Sequence, residues 1–271
     1  MSDRLSLRPL GATGLMVSPL ALAGSFGIDA DAVERAYHEL GVNTFFVTPR
    51  MKGLVEGVRR LIAAGHRDRI VIACGASIPT GGSVGRELRK HLRVLGVDHI
   101  DIWKLFWVQY HWYVTGKTWP AMVRTREEGL ARVIGISIHN RPLAVRLTRE
   151  LDLDVLMLRY NAAHRGAERE IFAELPAERP AVVAYTATRW GKLLEPAKGL
   201  APMSAPECYR FSLGHPRVGL ALCGAATYDE LAANVAGVLA GPLPADRLAQ
   251  ITAFGDAVRA TARGKIGFLR A

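Results

Sequence analysis

Short apolar runs alternate with helix-patterned segments along almost the whole chain, and this alternation constrains the fold more than any other feature. The runs cover residues 20–23, 44–47, 70–74, 100–106, 133–137, 155–158, 181–185 and 219–222. They are continuous rather than alternating, as in strands buried on both faces. Helix patterns follow near residues 30–40, 54–64, 82–95, 119–129, 142–150, 166–175, 206–213 and 227–239, with a last one near 245–262. Strands that alternate with helices predict a parallel sheet. Eight units with no dinucleotide-type glycine fingerprint predict an α/β fold of the (β/α)8 TIM barrel type rather than a doubly wound sheet. Ahead of them, two short alternating segments flank Gly11-Ala12-Thr13-Gly14 and predict an N-terminal β-hairpin that plugs one end. The 271 residues suit a single barrel domain over 1–271.

The formal charge of +10 comes mostly from scattered arginines. No basic run is interleaved with aromatics, so a solvated surface is expected rather than a nucleic-acid partner. Cys74, Cys208 and Cys223 are isolated, with no CxxC, which argues against a disulfide framework and against a metal site. No signal-peptide pattern and no long uncharged apolar stretch occur, so a cytoplasmic protein without a membrane partner is expected.

In Gly41-Val42-Asn43-Thr44-Phe45-Phe46-Val47-Thr48, Gly41 stops a helix and a short strand follows. Barrel enzymes place their chemistry at such strand tips. Here the tip carries no acid, base or nucleophile except Thr48.

Several motifs, in order, resemble the aldo/keto reductase superfamily over nearly the whole chain. Arg8 to Ser18 is similar to its opening hairpin, Leu95-Gly96-Val97-Asp98-His99-Ile100-Asp101-Ile102 to the entry of its fourth strand, and Val133-Ile134-Gly135-Ile136-Ser137 to its fifth. Tyr160-Asn161, Val183-Ala184-Tyr185 and Gly224-Ala225-Ala226 with Glu230 and Asn234 complete the likeness. The resemblance implies hydride transfer from NADPH to a carbonyl, with a tyrosine as proton donor tuned by an aspartate, a lysine and a histidine. Carried over to this chain, the aspartate falls on Phe46, the tyrosine on Met51, the lysine on Gly75 and the histidine on Phe106. None of the four can donate, accept or carry a charge, and no one-residue shift restores the set.

The cofactor positions that the resemblance assigns are mixed. Ser137 stands at the carboxamide site, but its usual partners are replaced by Ile138 and Met157. Tyr185 matches the ring that stacks on nicotinamide, Thr186 and Arg189 just after it stand as further cofactor candidates, and Glu230 and Asn234 match the adenine site, while the cation expected near Ala226 is missing. NADPH binding is therefore expected to be weakened, and Tyr185 and Asn234 equally suit packing or capping.

Four sets of residues stand as replacements. Lys104 lies between Ile102 and Phe106 at a period of two, so it points into the barrel if Phe106 does, with Gly75 leaving room on the neighbouring strand. A buried ammonium loses pKa and becomes an amine base or nucleophile. Tyr110 and His111, in the aromatic loop that begins at Trp107, lie near the place of the missing histidine and suit a surrogate acid or an interface patch. Arg159, His164 and Arg165, with Thr186, Arg189 and Lys192, follow two strands and suit an anionic small-molecule ligand or surface charge. His139 and Asn140 suit polar contacts, a proton shuttle or a helix cap.

Three functional classes follow: a divergent barrel that binds a small molecule or runs non-standard catalysis, an NADPH-dependent carbonyl oxidoreductase with surrogate acid and base, and a non-catalytic partner protein marked by an exposed apolar patch.

Overall fold

The computed structural model describes residues 4–24, 26–177 and 179–263. Two short strands, β1 (Arg8–Pro9) and β2 (Met16–Val17), pair antiparallel. Eight further strands follow: β3 (Leu20–Ala23), β4 (Thr44–Phe46), β5 (Val71–Ala76), β6 (Ile100–Val108), β7 (Ala131–Ile138), β8 (Val155–Arg159), β9 (Ala181–Tyr185) and β10 (Val218–Cys223). They pair in sequence order, and β10 closes on β3 to complete a parallel barrel. The helices α1 (Ala30–Leu40), α2 (Lys52–Ala63), α3 (Gly81–Leu95), α4 (Thr118–Glu127), α5 (Arg141–Glu150), α6 (Ala205–Leu213), α7 (Tyr228–Leu239) and α8 (Ala245–Arg263) accompany it. The predicted α/β barrel and its leading hairpin are thus present.

Local chemistry sets the boundaries. Asp29 caps α1 by accepting from the Ala32 N–H, and Gly41 ends it at φ 74°. A Cβ on Gly41 would also lie 2.7 Å from the Leu5 carbonyl oxygen, so glycine is required twice over. Thr80 and Ser83 form a capping box on α3, as Ser204 and Glu207 do on α6. The hairpin closes the amino-terminal end: Leu10, Leu15 and Val17 pack onto the inward residues of the strands. Arg8 ties it there by donating to the Gly219 and Val218 carbonyls at 2.9 and 3.3 Å.

Two elements depart from expectation. The helix expected over 166–175 is a single wide turn, Glu168–Phe172, with hydrogen bonds of the i→i+5 kind. β6 runs beyond its expected end to Val108, through an irregularity between Leu105 and Val108 where Trp107 takes φ 51°.

Barrel stagger decides which side chains share a level. Hydrogen-bonded partners slip by about one residue per strand relative to the barrel axis. By that rule Phe46, Lys104, Met157 and Leu222, from the four even-numbered strands of the barrel, form one interior layer. The next layer up, from the odd-numbered strands, is Ala23, Gly75, Ser137 and Tyr185, and Phe106 and Arg159 stand above it at the mouth. Phe46, Met157, Leu222, Ala23 and Tyr185 do pack in the inner cluster.

Candidate functional site at the barrel mouth

Lys104 lies inside the barrel, 1% exposed. Its two hydrogen-bonded neighbours are glycines, Gly75 on β5 and Gly135 on β7. A Cβ on Gly75 would lie 2.5 Å from the Lys104 carbonyl oxygen and 2.5 Å from Cε1 and Cζ of Phe106. The Phe106 ring therefore stands where a side chain on β5 would go. It meets Phe46 at 5.6 Å between centroids, and the Lys104 Nζ sits 5.0 Å from the Phe46 ring centre. No hydrogen bond or ion pair reaches Nζ among the described residues, and no carboxylate faces it. Burial pulls the ammonium from 10.5 down to about 8.

Above Lys104, the Ser137 hydroxyl accepts from the Trp107 N–H at 2.8 Å and so holds the β6 irregularity. The Tyr185 hydroxyl bonds the His139 ring, 2.7 Å from Nε2. Burial raises the phenol pKa, and burial followed by the Arg159 charge lowers that of His139, so both stay neutral near pH 7. Asn161 donates to the Thr186 carbonyl at 2.8 Å, with its own oxygen accepting from the Ala163 N–H at 3.0 Å. His164 Nδ1 lies 3.1 Å from that same oxygen. Burial, then Arg159, Arg189, Arg259 and Arg141, push His164 down to about 3.

The remaining predicted residues do not converge on Lys104. Tyr110 is exposed and stacks on Trp112 at 6.3 Å. His111 is held by Glu150 of α5, with Nε2 2.7 Å from a carboxylate oxygen. A surrogate acid at those two positions is thus drawn away from the barrel by aromatic packing and by a hydrogen bond to Glu150. Met51 precedes α2 and packs against the outer core. Lys192 pairs with Glu195 at 2.9 Å, and Arg165 grips Asp256 through both carboxylate oxygens at 2.6 and 2.7 Å. Asn140 caps α5.

The nucleotide positions are engaged within the protein. The Glu230 carboxylate accepts from the Ala226 N–H at 2.9 Å. Asn234 is buried and points its amide at Cys223 Sγ, 3.5 Å away. The Phe26 ring lies on Gly224, where a Cβ would come 2.3 Å from Cε2. Sequence reasoning missed Gly135 and Arg259. The first was readable from its period-of-two place between Val133 and Ser137. The second lies on α8, far along the chain, and nothing local marks it. Among the described residues, no group of three or more His, Cys, Asp or Glu side chains is placed to hold a metal ion.

The family model for aldo/keto reductases matches residues 30–207. An aldo-keto reductase from Bacillus halodurans in its holo form superposes with a TM-score of 0.78 at 22% identity, over 93% of this chain and 96% of that one. A Pseudomonas aeruginosa protein assigned to the aldo-keto reductases gives 0.70 at 24% identity, over 87% of this chain and 96% of its own. No curated protein matches the chain.

Proposed function

Because the chain belongs to the aldo/keto reductase family, we propose that it has exchanged standard NADPH-dependent carbonyl reduction for the binding and non-redox conversion of a small molecule at the barrel mouth, with Lys104 as the acting group. The observation that carries this reading is the amine itself. It is buried inside the barrel between two glycine neighbours, unpaired, and drawn to about 8. A group so placed is still mostly protonated at pH 7 but yields the neutral amine as pH approaches 8, well below the ordinary lysine range, and that amine acts either as a base or as a nucleophile toward a carbonyl.

Two further observations support the loss of reductase chemistry. Phe46, Met51, Gly75 and Phe106 offer no proton and no charge, and two of the four make an aromatic contact across the mouth. The residues at the nucleotide positions do not fit NADPH. Asn234 is turned inward, Glu230 clasps its own loop, the stretch from Ala226 to Glu230 has no cation, and Phe26 covers Gly224. Among the described residues no helix is long and apolar enough to cross a membrane, and all three thiols are free and buried, which suits a cytoplasmic setting.

One observation favours the alternative, an NADPH-dependent oxidoreductase with surrogate groups. The Tyr185–His139 pair at the mouth joins a phenol to an imidazole, and such a pair can deliver a proton to an alkoxide. Titration with NADPH, followed by nicotinamide fluorescence, separates the two readings. The proposal expects no saturable blue-shifted signal in the micromolar range. Saturation there, with carbonyl turnover lost in Tyr185→Phe and retained in Lys104→Met, would establish the alternative instead.

A further inference from the structure

We propose that Arg159, Arg189 and Arg259 form an oxyanion subsite at the barrel mouth, and that the molecule acted on by Lys104 is a small carbonyl compound carrying a carboxylate or a phosphate. The second half rests on the reading of Lys104 given above, whereas the subsite stands on its own geometry.

Arg159 ends β8 beside Tyr185 of β9, two positions above the Lys104 layer. Two residues of strand span about 7 Å, a distance that two long cationic side chains and a ligand of two or three carbons bridge together. Arg159 is partly buried and has no hydrogen-bond or ion-pair partner among the described residues. Leaving a desolvated guanidinium unpaired is costly, and a bound anion removes the cost. Arg189 donates to the Val258 carbonyl at 3.0 Å, which brings the β9 loop against α8 next to Arg259.

That loop is built at a conformational cost. Thr186, Arg189 and Trp190 take φ values of 58°, 53° and 51°, a region that non-glycine residues visit rarely and that clusters at ligand sites. Asn161 clamps it through the Thr186 carbonyl.

The nearby carboxylates do not neutralise the three arginines. Glu170 is held by Arg141 at 2.7 Å, Asp256 by Arg165, and Glu168 accepts from the Tyr160 hydroxyl at 2.7 Å. His164 stays uncharged in their midst and adds no competing charge. Planar guanidiniums match carboxylate and phosphate oxygens in pairs, so an oxyanion is the ligand chemistry that this set recognises.

With the anion on Arg159, the ligand carbonyl lies toward the amine. The Lys104 lone pair adds to the carbonyl carbon, and the C=O π pair takes up a proton that the new ammonium nitrogen gives off, which leaves a neutral carbinolamine. The nitrogen lone pair then expels the hydroxyl, which leaves as water with the second N–H proton, and an imine remains on Nζ with no change in oxidation state.

Binding and covalent capture are read separately, on the full chain, in wild type, Arg159→Gln and Lys104→Met, each first shown by circular dichroism to be folded. Inorganic phosphate, followed by phosphorus NMR, binds wild type and Lys104→Met alike and is weakened about tenfold or more in Arg159→Gln. Sodium borohydride then traps an adduct on Lys104, found by peptide mass, with dihydroxyacetone phosphate or with pyruvate, but not with neutral dihydroxyacetone. Which of the two anions is trapped tells phosphate from carboxylate. Equal phosphate binding by wild type and Arg159→Gln, or none by wild type, removes the subsite. Phosphate binding without any trapped adduct removes the amine reading and leaves the subsite standing. Equal trapping of dihydroxyacetone and its phosphate removes the role assigned to the anion.

Discussion

Replacing Lys104 by methionine is expected to stabilise the protein at neutral pH. The two side chains are similar in length, so the interior layer with Phe46, Met157 and Leu222 stays filled. The stabilisation comes from the charge that is removed. Burial lowers the ammonium from 10.5 to about 8, and each pKa unit corresponds to 1.36 kcal/mol, so the folded chain carries a penalty on the order of 3 kcal/mol when Lys104 is protonated. The Phe46 ring, 5.0 Å from Nζ, returns about 1 kcal/mol through its attraction for the cation. The net gain is then about 2 kcal/mol, or roughly 4 to 8 °C in Tm for a chain of this size. The folded value lies below the unfolded one, so the unfolded chain binds more protons between them. Wild type therefore carries the full penalty below about pH 8 and sheds it as pH rises from about 8 toward 10.5. Urea and thermal unfolding of both proteins across that window test this, because tyrosine and cysteine titrations cancel in the difference. A Met variant no more stable than wild type at pH 7, or a difference that does not shrink by pH 10.5, would refute a desolvated, unpaired amine.

Two other substitutions probe the same architecture. Gly75→Ala drives a Cβ to 2.5 Å from both the Lys104 carbonyl oxygen and the Phe106 ring; it should cost about 1–3 kcal/mol in urea unfolding, and an unchanged midpoint would mean that the ring does not occupy the glycine's place. Asp101 is fully buried and joins partners on β5, on β7 and in the turn before β5, accepting from the Ile72 N–H at 2.8 Å and facing Arg132 and Arg67 at 3.1 and 3.0 Å; Asp101→Ala leaves these donors unmatched and should cost about 3–5 kcal/mol, whereas a loss under 1 kcal/mol would show that solvent replaces the carboxylate.

The barrel was legible because burying both faces of a parallel strand forces continuous apolar runs, and those runs survive in every strand from β3 to β10. That Lys104 and Phe106 share a face was legible for a similar reason, since the period of two along β6 is a local property, but the direction of that face was not. What the sequence did not carry are the partnerships between distant segments. His111 is taken by Glu150, 39 residues on, and Tyr185 by His139, 46 residues back. Arg189 is oriented by a carbonyl 69 residues away. The extra turn width at Glu168–Phe172 and the left-handed Trp107 are likewise products of tertiary contact. For Trp107 that contact is the Ser137 hydroxyl, which takes up the N–H that the β6 irregularity leaves free.

The relation between Gly75 and Lys104 carries the argument furthest. The resemblance to the reductases asks for a lysine at position 75, paired with an aspartate at position 46. The chain has glycine and phenylalanine there, yet a lysine does stand in the barrel, at the hydrogen-bonded partner of Gly75 on the next strand. Moving the cation one strand over sets it one layer deeper, level with Phe46 rather than above it. The vacated space on β5 is filled by the Phe106 ring. A lysine held by a carboxylate stays charged and serves as a fixed field on a neighbouring acid. A lysine that faces an aromatic ring, with no carboxylate within reach, has only the ring's weak attraction to offset its desolvation, and its proton is held weakly. On the proposed reading, the substitution at position 46 and the displacement of the lysine belong together. The first removes the counter-charge, and the second places the amine where its loss of charge turns an electrostatic element into a reagent.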